Sequence, residues 1–150
     1  MEYSVFVPFV EIDGKLNLLF EVRSLGLARQ PGDICFPGGK IEAGETGEEC
    51  AVREAAEELG VSRDAIRIIQ QLDSIYTHDG FPLHSFYGEI AYDKLSESKI
   101  NHREVESIFY VPASYFLNRE RREESSYRYG DKNIWGLTAR IIHNLVKILQ

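Results

Sequence analysis

Two dense apolar runs, Tyr3 to Ile12 and Leu16 to Val22, open the chain and are separated only by Asp13-Gly14-Lys15. Both are rich in β-branched and aromatic residues, and Asp-Gly between them is a strong turn signal, so the chain is predicted to begin with a β-hairpin. A loop from Arg23 to Gly32 follows. The short run Asp33 to Phe36 then reads as a strand that delivers Pro37-Gly38-Gly39, where glycines let the backbone turn sharply and approach a ligand closely. The period then lengthens to that of a helix. Thr46 followed by Glu49 forms a capping box, and Gly60 is the expected stop past the last turn. Further on, Ile66 to Tyr76 and Leu83 to Tyr92 read as strands around the polar loop Thr77-His78-Asp79-Gly80, and Val105 to Val111 as another, ended by Pro112. From Trp135 to Leu149 the apolar positions Trp135, Leu137, Ile141, Ile142, Leu145, Val146 and Leu149 recur at helical spacing, which predicts a terminal helix packed on the sheet. The charged stretch Asn118 to Ser126 is expected to be a solvated loop or short insertion. No repeat, low-complexity tract or linker divides the chain, so residues 1–150 are expected to form one α/β domain.

The helix is the informative element. Glu48 and Glu49 lie in its first turn, where the macrodipole favours them, but Glu57 and Glu58 lie in its last turn, where it does not. Glu54 precedes them by three and four residues, so the three carboxylates are expected to share one face. Like charges at that spacing cost about 0.2–0.5 kcal/mol per pair. A bound cation is the simplest compensation, and hard oxygen ligands suit Mg²⁺ or Mn²⁺ holding a substrate phosphate. A solvated acidic face is the alternative reading of these three residues alone.

The surrounding residues favour the cation. Gly39, Glu45, Arg53, Glu54, Glu57, Glu58 and Gly60 keep the spacing of the Nudix hydrolase signature, with Ala55 and Val61 in its apolar slots. The chain thus resembles that family, and the resemblance implies an α/β/α sandwich around a mixed β-sheet and a divalent-metal-dependent pyrophosphohydrolase. It implies Glu54, Glu57 and Glu58 as metal ligands, with the carbonyl of Gly38 completing the set. It implies that Arg53 positions the glutamates and Glu45 through charge-assisted hydrogen bonds. The water's proton goes to a helix glutamate such as Glu57 or to a later carboxylate, for which Glu104 and Glu106 are candidates, although both also read as solvent-facing loop acids.

The segment before the helix narrows the substrate. Leu19-Phe20-Glu21-Val22-Arg23-Ser24, Gly32 and Phe36-Pro37-Gly38-Gly39 resemble the extra signature of the coenzyme A pyrophosphatase branch, as does the tail Ile134-Trp135-Gly136-Leu137-Thr138-Ala139-Arg140-Ile141. Arg23 and Arg29 are plausible phosphate partners, because a guanidinium binds phosphate oxygens bidentately. Phe36 and Gly39 complete the substrate-binding set that the resemblance suggests, and Tyr76, His78 and Phe81 are candidates for the pantetheine or adenine pocket. The departures are Glu21 in place of a threonine, Phe20 in place of a leucine, Ala28 in place of an arginine and Gln30 where relatives often carry histidine. They keep ADP-ribose or a dinucleotide open as alternative substrates. A fold-retaining ligand sensor without turnover and an acidic partner-binding domain whose helix is merely solvated are the remaining alternatives.

Bulk properties agree. At 150 residues the chain is long enough to bury a substantial core, and its 43% hydrophobic content is near the globular average. A net charge of −7 argues against nucleic acid and anionic membrane as partners, so an anionic small-molecule substrate needs local cations. The first residues, MEYSVFVPFVEIDGK, lack the pattern of a secretory leader, and no apolar stretch approaches the ~20 residues of a spanning helix, so a cytoplasmic location is expected. Cys35 and Cys50 are then expected as thiols rather than a disulfide. A homodimer is left open.

Overall fold

The computed structural model describes residues 1–117 and 126–150; the charged stretch that begins at Asn118 therefore lies outside the described residues, apart from Ser126. Strand β1 (Tyr3–Ile12) turns through Asp13 and Gly14, both at positive φ, into antiparallel β2 (Lys15–Arg23). The two strands pair only from Phe9 and Leu18 outward. Beyond that point they diverge, and the chain itself fills the fork. β3 (Ile34–Cys35) pairs with Glu21 and Val22 of β2, and β4 (Gly38–Lys40) pairs with Tyr3 to Val5 of β1. Pro37 joins the two and accepts a hydrogen bond from Phe6 N at 2.8 Å.

The glycines here are therefore not a turn. Gly38 and Gly39 are extended residues of β4, and glycine is required because a Cβ at Gly38 would lie 2.5 Å from Ser4 O and from Val5 Cγ1.

Helix α1 (Gly47–Leu59) has the predicted ends. Thr46 and Glu49 exchange both capping-box hydrogen bonds, and Gly60 closes the helix in the left-handed region. After it come β5 (Ile66–Gln71), β6 (Ile75–Tyr76) and β7 (Pro82–Ile90), so the expected single strand from Ile66 to Tyr76 is broken in two. β7 runs parallel to β1 and antiparallel to β5 and β6, which makes the sheet mixed. A short helix α2 (Tyr92–Ser96) replaces the predicted end of the β7 run. β8 (Val105–Pro112) pairs antiparallel with Asn17 to Arg23 of β2. Helix α3 (Ala113–Leu117), the hairpin of β9 (Ser126–Tyr129) and β10 (Lys132–Trp135), and helix α4 (Gly136–Leu149) follow. The hairpin and the two short helices escape periodicity because each is too short to show a repeat. Trp135, expected in the terminal helix, belongs to β10 and is about half exposed, and Leu149 is exposed as well.

Strand alternation sorts side chains between two helical layers. Phe6, Val10, Leu19, Phe86 and Ile90 pack under α1 and α2, with Ala51, Ala55, Leu59 and Leu95. Val7, Phe9, Leu18, Phe20 and Phe36 pack on the other face with Phe116, Ile134, Ile141, Ile142 and Leu145. The expected α/β/α sandwich around a mixed sheet is what the chain forms. Ala51 and Ala55 are fully buried, and their small side chains let the α1 backbone come close to the sheet. Among the described residues, no helix is long and apolar enough to cross a membrane. Both cysteines are free thiols.

Candidate active site and metal centre

The site lies where the last turns of α1 pass over the fork. Positions four apart on a helix differ by only 40° in direction, whereas the third residue falls on the other side of the first. Glu54 and Glu58 accordingly point the same way, and Glu57 points outward. Glu58 sits in the buried stripe with Ala51, Ala55 and Leu59 and is 5% exposed. Helical spacing thus splits the expected trio. Carboxylate oxygens of Glu54, Glu58 and Glu104 come within 4.8 Å of one another, and Glu57 stands outside that group with its side chain 56% exposed.

Glu104 reaches the group through its loop. Asn101 N donates to the Glu58 carbonyl at 3.0 Å, Glu104 N donates to Asn101 O, and Ser24 N donates to Glu104 O at 2.9 Å. The loop is thereby tied both to the last turn of α1 and to the end of β2. Glu106, the other carboxylate considered from the sequence, accepts from Leu25 N at 3.4 Å and is not in the converging group.

Arg53 organises the outer side of the helix. Its Nε donates to Glu45 Oε2 at 2.6 Å, Nη1 to Glu54 Oε1 at 3.0 Å and Nη2 to Lys40 O at 3.3 Å, and Glu57 Oε2 is 3.5 Å away. One guanidinium thus links the loop before α1, β4 and two glutamates of the helix. Hydrogen bonding to Arg53 pulls the Glu45 carboxyl down to about 2, so Glu45 is ionised at all ordinary pH. The same pairing holds Arg53 firmly protonated. Gly39 passes beneath Glu54 so closely that a Cβ there would lie 2.5 Å from Glu54 Oε1. Gly38 faces Val5 at a position of β4 that makes no ladder bond to β1, since the bonds from Phe6 N to Pro37 O and from Ile41 N to Glu2 O fix the alternation. Its carbonyl therefore points away from β1, on the same side as that of Lys40, which accepts from Arg53 Nη2.

A residue that sequence reasoning treated only as a departure is buried beneath this group. Glu21 is 2% exposed and shares the inward face of β2 with Leu19, so its side chain lies under α1 within hydrogen-bond reach of Glu58. The signal was a lone carboxylate in the apolar run Leu18-Leu19-Phe20-Glu21-Val22. Burial pushes both Glu58 and Glu21 upward, and for Glu58 the negative charge of Glu21 adds to the effect. Burial and the charge of Glu54 also raise Glu104. The three converging carboxylates of Glu54, Glu58 and Glu104, hard oxygen donors only, form a donor set suited to Mg²⁺ or Mn²⁺.

The remaining expected residues are spread around this centre. Arg23, at the end of β2, acts electrostatically on Glu21 and Glu104; its Nη2 donates to Arg29 O at 3.1 Å and its buried Nε has no hydrogen-bond partner. Arg29 is exposed on the loop that follows. Phe36 does not face the site. It is 3% exposed and stacks on Phe20 at 4.9 Å between centroids in the opposite core layer, on the face that Leu18 and Phe20 of β2 turn toward α4. A cavity of about 350 Å³ opens beside the start of α1 instead, lined by Glu2, Glu45, Thr46, Gly47, His84 and Phe86 among others.

Known proteins resemble the chain at both levels. Nudix hydrolase 3 of Caenorhabditis elegans is 26% identical over 98% of this chain and 72% of its own length. The peroxisomal coenzyme A diphosphatase NUDT7 of Mus musculus is 36% identical over 78% of this chain and 49% of its own. The chain spans about half the length of several curated relatives it matches. Among solved structures, the NUDIX domain of Shewanella oneidensis NrtR, crystallised with ADP ribose, superposes with a TM-score of 0.66 over 100% of this chain and 88% of that one, at 17% identity, a likeness of fold. The family described as NUDIX domain matches residues 2–130, a span that holds the forked strands, the acidic helix and the Glu104 loop, and the chain belongs to the Nudix family of hydrolases.

Proposed function

We propose that the chain hydrolyses the diphosphate of coenzyme A or acyl-coenzyme A in a divalent-metal-dependent reaction, releasing 3′,5′-adenosine diphosphate and (acyl-)4′-phosphopantetheine. The observation that carries this reading is the placement of Arg23, paired with Val105 at the end of β2, beside Glu104 of the converging Glu54, Glu58 and Glu104 carboxylates, where the coenzyme A-branch signature leads into the acidic helix. A cationic donor beside a cation-binding centre is what a diphosphate requires. The identity to a coenzyme A diphosphatase over most of this chain supports the same substrate.

When bound, Mg²⁺ or Mn²⁺ supplies charge neutralisation of the diphosphate and activation of water. Glu54 and Glu58, the Gly38 carbonyl and Glu104 would hold it. Arg23, with Arg29 from the exposed loop that follows it, binds phosphate oxygens and orients the scissile bond. Arg53 and Glu45 keep Glu54 in place, and a carboxylate oxygen of Glu104 or of the outward-facing Glu57 accepts the proton of the attacking water.

A second reading, hydrolysis of ADP-ribose or a dinucleotide, is favoured by Ala28 and Gln30, which leave the exposed loop without the arginine and the histidine of the branch. Mg²⁺- and Mn²⁺-dependent hydrolysis of coenzyme A, ADP-ribose and a diadenosine polyphosphate, with products identified by mass, separates the two. Preferential release of 4′-phosphopantetheine is expected; turnover of only the other substrates would discard coenzyme A.

A further inference from the structure

Glu21 has no place in the ligand set derived from the helix, yet it is among the most deeply buried charged residues described. Its Oε2 lacks any hydrogen-bond partner, and Oε1 accepts from the weak donor Cys35 Sγ at 4.0 Å. Its side chain meets that of Glu58 within hydrogen-bond reach. Two ionised carboxylates are acceptors only, so such a pair needs something positive or a proton between them. Glu54 and Glu104 crowd the same volume, with oxygens within 4.8 Å of Glu58. The guanidinium of Arg53 is engaged by Glu45 and Glu54 on the outer side of the helix, and Arg23 Nη2 is turned to the Arg29 carbonyl. Neither arginine is hydrogen-bonded to Glu21.

We infer that Glu21 is a further carboxylate ligand of the divalent-cation site, supplied by strand β2 from beneath the helix. The assignment rests on the metal-dependent reading above and deepens it: the coenzyme A-branch signature has threonine at this position, so this chain carries an extra acidic ligand. The site then draws oxygen donors from a strand, a helix and a loop. A centre with one more charged oxygen binds divalent ions more tightly and gains selectivity for them over monovalent ones.

Titration calorimetry with Mn²⁺ at neutral pH, on wild type, Glu21→Gln, Glu21→Thr and Glu58→Gln, tests this without reference to turnover. Both Glu21 variants are expected to weaken Mn²⁺ binding by at least about tenfold, within the range seen when residues supporting a metal are removed. Circular dichroism reports whether each variant is folded, and Glu21→Thr, small and uncharged, keeps the test alive if the amide is not accommodated. Wild-type affinity in the Glu21 variants, alongside loss in Glu58→Gln, would overturn the assignment and leave Glu21 as a group that shares a proton with Glu58. Absence of Mn²⁺ binding by the wild type would overturn the metal-dependent reading itself, and Glu21's role with it.

Discussion

At the scale of single residues the site is governed by which carboxylates are buried and what faces them. Glu58 occupies a helix position that packing would assign to an apolar side chain, and its neighbour Glu21 makes the charged form costlier still. Glu58→Gln removes that conflict without changing shape. The metal-free variant is expected to be at least as stable as wild type at neutral pH, while hydrolysis falls by roughly a hundredfold, the upper end for loss of a metal-site group. Unfolding midpoints in EDTA and initial rates in Mn²⁺ check both halves; normal turnover with a normal metal requirement would remove Glu58 from the site. Gly39 shows the same economy of space. A methyl group there would lie 2.5 Å from Glu54 Oε1, the movable end of a side chain, so Gly39→Ala should fold normally but displace Glu54. Its Mn²⁺ affinity is expected to drop by about tenfold or more, and an unchanged affinity would mean that Glu54 is free to relocate.

Elements matter because the carboxylates of the site arrive on a strand, a helix and a loop. Small residues Ala51 and Ala55 lower α1 onto the sheet, alternation along β2 turns Glu21 toward it, and the loop after α2 brings Glu104. That loop is held by Gly60, which ends α1 at φ 69° and would place a Cβ 1.8 Å from the Lys99 carbonyl. Gly60→Ala therefore combines backbone strain with a clash against main chain that cannot rotate away. A loss of more than about 1 kcal/mol is expected, measured by chemical denaturation, together with weaker Mn²⁺ binding as the Asn101 to Glu104 segment shifts. Full stability in Gly60→Ala would show that the loop packs independently of the helix end. The helix itself was legible in the sequence because its cap, stop residue and periodicity are local. β4 was not, because two glycines after a proline read locally as a turn, and only the partnership with Tyr3 to Val5 makes them a strand.

For the whole molecule, pH acts in two directions. Arg53 holds Glu45 down to about 2, below its ordinary 4.5, so this pair supports the fold from about pH 4.5 upward and its contribution is lost as pH falls toward 2. Glu21 and Glu58 are displaced upward from 4.5, so each retains a proton in the folded chain that the unfolded chain has released, and stability declines as pH rises above that value. Metal-free protein is therefore expected to be most stable in mild acid, with its unfolding midpoint falling toward neutral pH and Mn²⁺ restoring it there. A midpoint that rises from pH 4.5 to 7.5 in EDTA would show that the buried carboxylates are not protonated in the fold. By itself the sequence determined what is local or repeats along the chain: the hairpin, the capped acidic helix, the terminal helix, and, through the spacing of Gly39, Glu45, Arg53, Glu54, Glu57, Glu58 and Gly60, the family. Only the tertiary structure decided which carboxylates meet. Glu21, Glu58 and Glu104 are distant in sequence, Phe36 faces the other core layer, and Glu57 is turned away by 3.6-residue geometry, because convergence depends on how strands, helix and loop stack in space, which no local pattern encodes.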